Sequence, residues 1–328
     1  MTRIVLLAWC FMHPSAYGQD KAAYPKADPG PNSVTSGTAE WKDANRDRVV
    51  PVKIYRPKKL DTSTPIVIYS HGLGGSREGY GYLATFWASH GYVVVLPQHA
   101  GSDEAVWKGE ANPKQALAKA AADPRNAAQR PKDISFVIDK LEEANREDAD
   151  LKGKLDLKSI GVGGHSFGSY TTLAVGGQVS GIPFLQPKVK EERVKALIPM
   201  SSPKAKGNLD RAYGDIRVPC LHMTGTLDDS PIGDTKPEER RAAFDHIKGT
   251  DQWLITFEGG DHMIFSGRLS KEPKRLDSDA KFQKAIKQTS LAFWDAHLRD
   301  DGDAKAWLNG PQMETFLGKD AKLERKRK

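Results

Sequence analysis

The chain has 328 residues and a net charge of +7, from 49 lysine and arginine residues against 42 aspartate and glutamate residues. With 38% hydrophobic and 28% charged residues, its composition is typical of a soluble globular protein. No apolar run reaches the roughly 18 residues that a membrane-spanning helix requires. The sequence therefore predicts a large buried core and no stable membrane insertion.

The first residues have the pattern of a secretory signal. An apolar stretch at 4–12 follows a basic residue, and small side chains stand at Ala16 and Gly18, the two positions that a signal peptidase reads. We predict a signal peptide at 1–18, cleaved after Gly18 and followed by a polar linker at 19–36. An ordinary N-terminal strand is the alternative. The signal predicts a secreted or periplasmic protein.

The C-terminus carries much of the positive charge. Residues 319–328 hold six basic and two acidic side chains and so supply +4 of the net charge of +7. We predict a basic, solvated tail at 311–328, with a surface tether or a nucleic-acid-binding arm as alternatives. No basic patch with interleaved aromatic residues accompanies it, so we predict no nucleic-acid partner.

Between these ends, apolar runs alternate with helix-like segments. Strands at 38–41 and 49–55 form an N-terminal hairpin, and the almost wholly apolar run 65–70 is typical of a strand covered on both faces. An amphipathic helix includes residues 134–141. This alternation predicts one α/β domain at 37–310, built on a doubly wound, mostly parallel sheet with an antiparallel N-terminal hairpin.

One pentapeptide has the G-x-S-x-G pattern. It runs from Gly164 to Gly168 with Ser166 at its centre, after an apolar run and before a helix-like segment. In a nucleophile elbow the chain turns sharply from strand to helix, the serine backbone is strained, and small flanking residues avoid a clash. The motif alone leaves open a glycine-rich turn whose serine merely caps the following helix.

Other strand ends supply the partners that a serine nucleophile needs. A serine hydroxyl requires a base, and the base requires a carboxylate that fixes its tautomer. Asp228 and His262 each follow an apolar run, so Ser166, Asp228 and His262 occur in the chain order serine, aspartate, histidine. The adjacent Asp229 is the alternative acid.

These motifs resemble those of the α/β-hydrolase superfamily, and in particular its bacterial dienelactone hydrolase-like, platelet-activating-factor acetylhydrolase-like and cutinase-like serine esterases. The similarity covers residues 49–298. It is carried by five loops, which are HGLGG from His71, HAGSD from His99, GHSFG around Ser166, GTLDD ending at Asp229 and GGDHMIF around His262. Dienelactone hydrolase has a cysteine nucleophile where this chain has a serine.

The resemblance implies an α/β-hydrolase fold with a catalytic triad of Ser166, Asp228 and His262. It favours Asp228 over Asp229 as the acid, and it implies an oxyanion hole formed by the backbone N–H groups of Leu73 and Phe167. A flexible turn or a phosphate cradle is the alternative reading of the HGLGG loop. The short connection between the strands ending at 200 and beginning at 218 predicts no large cap and an open, shallow pocket.

The predicted function is that of a secreted serine carboxylester hydrolase that works through an acyl-enzyme on a small, lipid-like or polymeric ester. An acyltransferase or phospholipid acetylhydrolase with the same triad is the alternative, and a non-catalytic binding protein is a more distant one. We predict no metal and no cofactor, because no H-E-x-x-H motif or cysteine-histidine cluster occurs. Three residues are predicted to contact substrate, namely Trp107, Met263 and Phe265, while structural roles are predicted for His71, His99 and His165.

Overall fold

The computed structural model describes residues 24–182, 189–267 and 273–328, with the backbone alone at 273–276. The strands in these ranges are β1 (Val34–Asp43), β2 (Arg48–Pro57), β3 (Thr64–Ser70), β4 (Val93–Pro97), β5 (Leu155–His165), β6 (Val194–Met200), β7 (Cys220–Leu227), β8 (Gln252–Asp261) and β9 (Ala321–Lys326). The α-helices are α1 (Gly81–Ser89), α2 (Pro113–Ala122), α3 (Pro124–Glu147), α4 (Phe167–Gly176), α5 (Leu209–Tyr213), α6 (Ala242–His246), α7 (Pro273–Leu298), α8 (Gly302–Asn309) and α9 (Pro311–Leu317).

The described strands form one sheet in the order β1-β2-β4-β3-β5-β6-β7-β8-β9. Strands β3 to β8 run parallel, whereas β1, β2 and β9 pair antiparallel with their neighbours. The predicted mostly parallel sheet and its N-terminal hairpin are thereby confirmed. None of the helices in the described ranges has the length and apolar character needed to cross a bilayer.

Both faces of the sheet are covered, which explains why the central strands are apolar throughout. Every residue of β3 is buried. Its alternate side chains enter opposite cores, because Val67 and Tyr69 pack with α1 and α7 on one face while Ile66 and Ile68 pack with α3 and α4 on the other. The amphipathic face of α3 lies in the second core. Helices on both sides make the sheet doubly wound.

The connection between β6 and β7 contains only α5, a helix of five residues. No cap domain is inserted there, as the sequence predicts. The parallel strands therefore present their carboxyl ends, and the loops that follow them, at one open edge of the sheet.

The prediction of a solvated tail at 311–328 is wrong. The segment folds into α9 and β9, and β9 pairs antiparallel with β8 from Gln252↔Lys326 to Phe257↔Ala321. Its basic side chains bind main-chain oxygens, since Arg325 Nε donates to Leu308 O at 2.9 Å and Lys326 Nζ donates to Phe244 O at 2.8 Å. Charge content alone did not reveal a strand that covers the sheet edge.

The predicted linker is also more ordered than expected where it is described. Tyr24 is 2% exposed, and its hydroxyl donates to Asp295 Oδ2 on α7 at 2.5 Å. Lys26 N donates to Gln288 Oε1 on the same helix at 2.7 Å, and β1 already begins at Val34. The predicted signal peptide and its cleavage site lie outside the described residues.

Candidate active site

Ser166 stands at the sharp turn between β5 and α4. Its backbone has φ 57° and ψ −117°, which is strained for a residue with a side chain. A Cβ atom at Gly164 would lie 2.4 Å from Gly168 O, and one at Gly168 would lie 1.9 Å from Ser70 O. Both flanking positions thus require glycine, and the pentapeptide has the geometry of a nucleophile elbow.

Asp228 and His262 are in direct contact. Asp228 Oδ1 lies 2.8 Å from His262 Nδ1, and Asp228 is fully buried at 0% exposure. Its second oxygen, Oδ2, accepts a hydrogen bond from Thr224 Oγ1 at 2.9 Å. Asp229 is exposed and faces Lys236 Nζ at 3.4 Å. Of the two candidate acids, only Asp228 has a described contact with the histidine.

Two further residues surround this pair. Ser201 Oγ lies 2.8 Å from both Asp228 Oδ1 and His262 Nδ1, and Ser201 has a positive φ of 55°. The buried Arg240 donates from Nε to Asp228 O at 3.1 Å and from Nη2 to Ser230 Oγ at 3.0 Å. Sequence reasoning missed both. Ser201 directly follows β6, so examining every strand end for polar residues would have found it.

Ser166 and His262 line one cavity of about 1400 Å³, together with Leu73 and Phe167. In the described part of the chain, the backbone N–H groups of Leu73 and Phe167 have no hydrogen-bond acceptor. They are therefore available to an oxygen atom bound beside Ser166. The segments that follow β3 to β8 wall this cavity, together with residues of α2 and α3.

The predicted substrate-contacting residues separate into two groups. Trp107 and Met263 line the cavity, and Met263 is 41% exposed. Phe265 does not line it, so that prediction is wrong. Its ring is fully buried and packs against Phe257 and His165, at centroid distances of 6.1 and 5.6 Å. The turn after His262 places Met263 at the cavity and both Ile264 and Phe265 in the core.

His165 is almost fully buried and lines the same cavity as His262. Its ring centroid is 4.6 Å from that of His262, and its Nδ1 is 2.9 Å from the hydroxyl of Tyr80. Burial, and then the charges of His262 and Arg240, hold the pKa of His165 well below its usual range. The imidazole of His165 is thus neutral. Its contact with Tyr80 connects it to the loop after β3, because the Tyr80 hydroxyl also accepts a hydrogen bond from Gly72 N at 3.3 Å.

His71 and His99 are both bonded to interior groups. His71 Nδ1 donates to Gly72 O at 2.6 Å, and its Nε2 accepts from His99 N at 3.0 Å. His99 contacts Ser70 Oγ and Asp133 Oδ2, each at 2.9 Å. Neither residue lines the cavity.

In the ranges that the structure describes, no group of three or more histidine, cysteine, aspartate or glutamate residues could hold a metal ion.

Comparisons with known proteins identify relatives for part of the chain. Residues 43–124 match the family described as platelet-activating factor acetylhydrolase, isoform II. The match covers β2, β3, α1, β4 and the loop with Leu73, but not Ser166, Asp228 or His262.

A platelet-activating factor acetylhydrolase from Cavia porcellus is 29% identical over 149 residues, which is 38% of this chain and 34% of that protein. The chain thus spans about a third of the length of this curated relative. The described residues have the α/β-hydrolase fold, and part of the chain is similar to platelet-activating factor acetylhydrolases.

Proposed function

We propose that this protein is a serine carboxylester hydrolase that works through an acyl-enzyme. Ser166 is the nucleophile, His262 is the base and then the acid, and Asp228 orients His262. The backbone N–H groups of Leu73 and Phe167 bind the oxyanion. The observation that carries the proposal is the presence of Ser166, on its strained elbow, in the same cavity as a histidine that contacts a buried aspartate.

The reaction proceeds in two balanced halves. Ser166 Oγ loses its proton to His262 Nε2 and bonds to the ester carbonyl carbon, whose oxygen takes the electron pair and becomes the oxyanion. Collapse breaks the bond to the alcohol, which leaves with the proton from His262. Water then attacks the acyl-enzyme in the same way, releases the carboxylic acid and restores Ser166.

The test is the hydrolysis of a short p-nitrophenyl ester by Ser166→Ala. We expect kcat to fall by several orders of magnitude, about 10⁶-fold where a triad acts as a unit, while the far-UV spectrum is unchanged. Ser169→Ala is the matched control, because Ser169 lies on α4 and its hydroxyl bonds to Ser202 Oγ at 2.6 Å, away from the pair of Asp228 and His262. Turnover by a folded Ser166→Ala protein would exclude this nucleophile.

A phospholipid acetylhydrolase is the second candidate, and the comparisons favour it. Both the family match and the guinea-pig relative are described as platelet-activating factor acetylhydrolases. To test this substrate class, we would compare the hydrolysis of phospholipids that have a short acyl chain with the hydrolysis of simple esters and polyesters of matched acyl length. Preference for the phospholipids would support it. Preferential hydrolysis of polyester films would favour the polymer-ester alternative instead.

An acyltransferase would use the same residues but transfer the acyl group to an alcohol. Measuring hydrolysis and alcoholysis of one ester in parallel separates the two reactions. A non-catalytic binding protein would bind esters without turnover.

For localisation, we propose export directed by residues 1–18, and mass spectrometry of the exported protein should find Gln19 as its first residue.

A further inference from the structure

A fully buried arginine joins four segments beneath the candidate oxyanion site. Arg130 on α3 is 0% exposed. Its Nε donates to Thr171 Oγ1 at 2.9 Å, Nη1 donates to Ser102 Oγ at 2.9 Å, and Nη2 donates to Ser70 Oγ at 3.1 Å and to His71 O. The Arg130 side chain therefore connects the carboxyl end of β3 and the loop after β4 to helix α4.

The charge of Arg130 is balanced through a directed chain of hydrogen bonds. Arg130 donates to Ser70 Oγ, the Ser70 hydroxyl donates to His99 Nε2, and His99 Nδ1 donates to Asp133 Oδ2. Burial, followed by the charge of Arg130, lowers the pKa of His99 to about 4, so the imidazole is neutral and has one proton to donate. Burial lowers the pKa of Arg130 to about 9, and it stays cationic at neutral pH.

This array contains a serine, a histidine and an aspartate, yet it is not a second catalytic site. Ser70, His99 and Asp133 are all inaccessible, with side chains at 0% exposure for His99 and Asp133. Burial would raise the pKa of Asp133, but hydrogen bonds from His99 and Arg48 outweigh it and hold the pKa below its usual range. The array thus anchors a buried cation to a buried anion.

Arg130 contacts both of the segments that contain the proposed oxyanion donors. The His71 carbonyl that accepts from Nη2 lies two residues before Leu73. The guanidinium carbon lies 4.5 Å from the centre of the Phe167 ring, within the range of a cation–π contact. Arg130 consequently contacts the two segments whose N–H groups must converge on a single oxygen.

We propose that Arg130 is a positioning residue that sets the distance between the N–H groups of Leu73 and Phe167. The inference rests on the function proposed above and extends it. Donor geometry governs oxyanion stabilisation, because each donor must lie about 2.7–3.1 Å from the developing charge. Loss of Arg130 releases the His71 carbonyl and the Phe167 ring together, so we expect it to weaken transition-state binding more than substrate binding.

The experiment compares Arg130→Met and Arg130→Lys with Arg193→Met. Arg193 is the control, since it also contacts α3, through Asp139 at 2.7 Å and Glu142 at 3.0 Å, but has no described contact with His71 or Phe167. For each protein, kcat and KM are measured for a p-nitrophenyl ester. A fluorophosphonate titrates the concentration of competent sites, and a trifluoromethyl ketone, which forms a tetrahedral oxyanion on the serine, supplies an inhibition constant.

We expect kcat per titrated site to fall about 10- to 100-fold in Arg130→Met, with KM changed by less than about threefold. The inhibition constant of the ketone should rise by a similar factor. Arg130→Lys should retain more activity, because an ammonium keeps the charge and up to three of the donors. Arg193→Met should match the wild-type values per site.

An unchanged kcat in folded Arg130→Met would overturn the inference, as would an equal loss in Arg193→Met. If Arg130→Met does not fold, Arg130→Lys provides the test. One ammonium cannot reproduce the geometry of all the guanidinium contacts, so we still expect a lower kcat in Arg130→Lys. An unchanged kcat in that variant would overturn the inference equally. Failure of the wild-type protein to hydrolyse esters or to react with the fluorophosphonate would instead overturn the proposed function and this inference with it.

Discussion

Ser201 Oγ lies 2.8 Å from Nδ1 of His262, at the same atom that contacts the carboxylate of Asp228. The Ser201 hydroxyl can donate only one hydrogen bond, and it donates that bond to Asp228 Oδ1 at 2.8 Å. His262 Nδ1–H is then shared between the carboxylate and the serine oxygen. Ser201 thus restrains the imidazole and the carboxylate at once.

Ser201→Ala should therefore lower kcat/KM about tenfold, the effect expected from the loss of one hydrogen bond to a charged group. Ser202→Ala is the control, because Ser202 is also buried but its hydroxyl bonds to Ser169 at 2.6 Å. Steady-state hydrolysis of one ester by both variants makes the measurement. Equal rates for the two variants would contradict a role for Ser201 beside His262.

Replacing the two adjacent acids should have very different effects. Asp228→Asn should lower kcat by about 10⁴-fold, since an amide favours the wrong tautomer of the base. Asp229→Asn should leave kcat within about twofold, because Asp229 is exposed and has only a surface contact with Lys236. A larger loss in Asp229→Asn than in Asp228→Asn would reverse the assignment of the acid.

Met263 and Phe265 should respond in opposite ways to truncation. Met263→Ala should raise KM for longer acyl chains and change the free energy of unfolding by less than about 0.5 kcal/mol, because its side chain is exposed at the cavity. Phe265→Ala should lower the free energy of unfolding by about 3–5 kcal/mol, since its ring is fully buried. Kinetics and urea denaturation of both variants test the distinction.

Acidification should destabilise the fold through buried histidines. Burial is the main cause that lowers the pKa values of His99, His222 and His297 to about 4, from an ordinary value of 6.5. Between pH 6.5 and 4 the unfolded chain binds protons that the folded chain does not, so stability falls as the pH falls. Each histidine contributes about 1.4 kcal/mol per pH unit in that window.

Urea midpoints at pH 7 and pH 5 measure this effect, and the midpoint at pH 5 should be clearly lower. His222→Phe should make the stability less dependent on pH, because it removes one of the groups that binds a proton only on unfolding. Identical midpoints at the two pH values in the wild-type protein would show that these histidines are not buried in the neutral form.

Deletion of residues 319–328 should lower the melting temperature by at least several degrees, on the order of 5 °C. The deletion removes β9, leaves β8 as an unpaired edge and exposes Trp253, over whose ring Arg327 lies at 4.6 Å. Lys322→Gln is the control, since it removes a mostly exposed positive charge from the same strand and keeps the pairing. An unaltered melting temperature after the deletion would show that the pairing of β9 with β8 does not stabilise the fold.

Much of the fold and part of the candidate site could be predicted from short-range patterns. The buried strands are recognisable because both of their faces require apolar residues, and the elbow is recognisable because two glycines must flank Ser166. The proximity of Asp228 and His262 followed from a topological rule, that the carboxyl ends of parallel strands share one edge of the sheet.

Single polar residues outside any motif were not predictable in this way. Arg240 and Arg130 belong to no local pattern. Arg240 donates to Ser201 O, 39 residues away, and Arg130 donates to Thr171 Oγ1, 41 residues away. Phe265 was misplaced because a one-residue change in a turn decides whether a ring enters the cavity or the core.

Local periodicity and glycine sterics act within a few residues, so the amino-acid pattern is sufficient to predict the α/β architecture and the strand-turn-helix setting of Ser166. The folded chain was needed to see that Asp228 rather than Asp229 contacts His262, that 311–328 includes the last strand, and that Arg130 packs against the ring of Phe167. These outcomes depend on contacts between segments distant in sequence, where burial and hydrogen-bond satisfaction select among side chains that look alike along the chain.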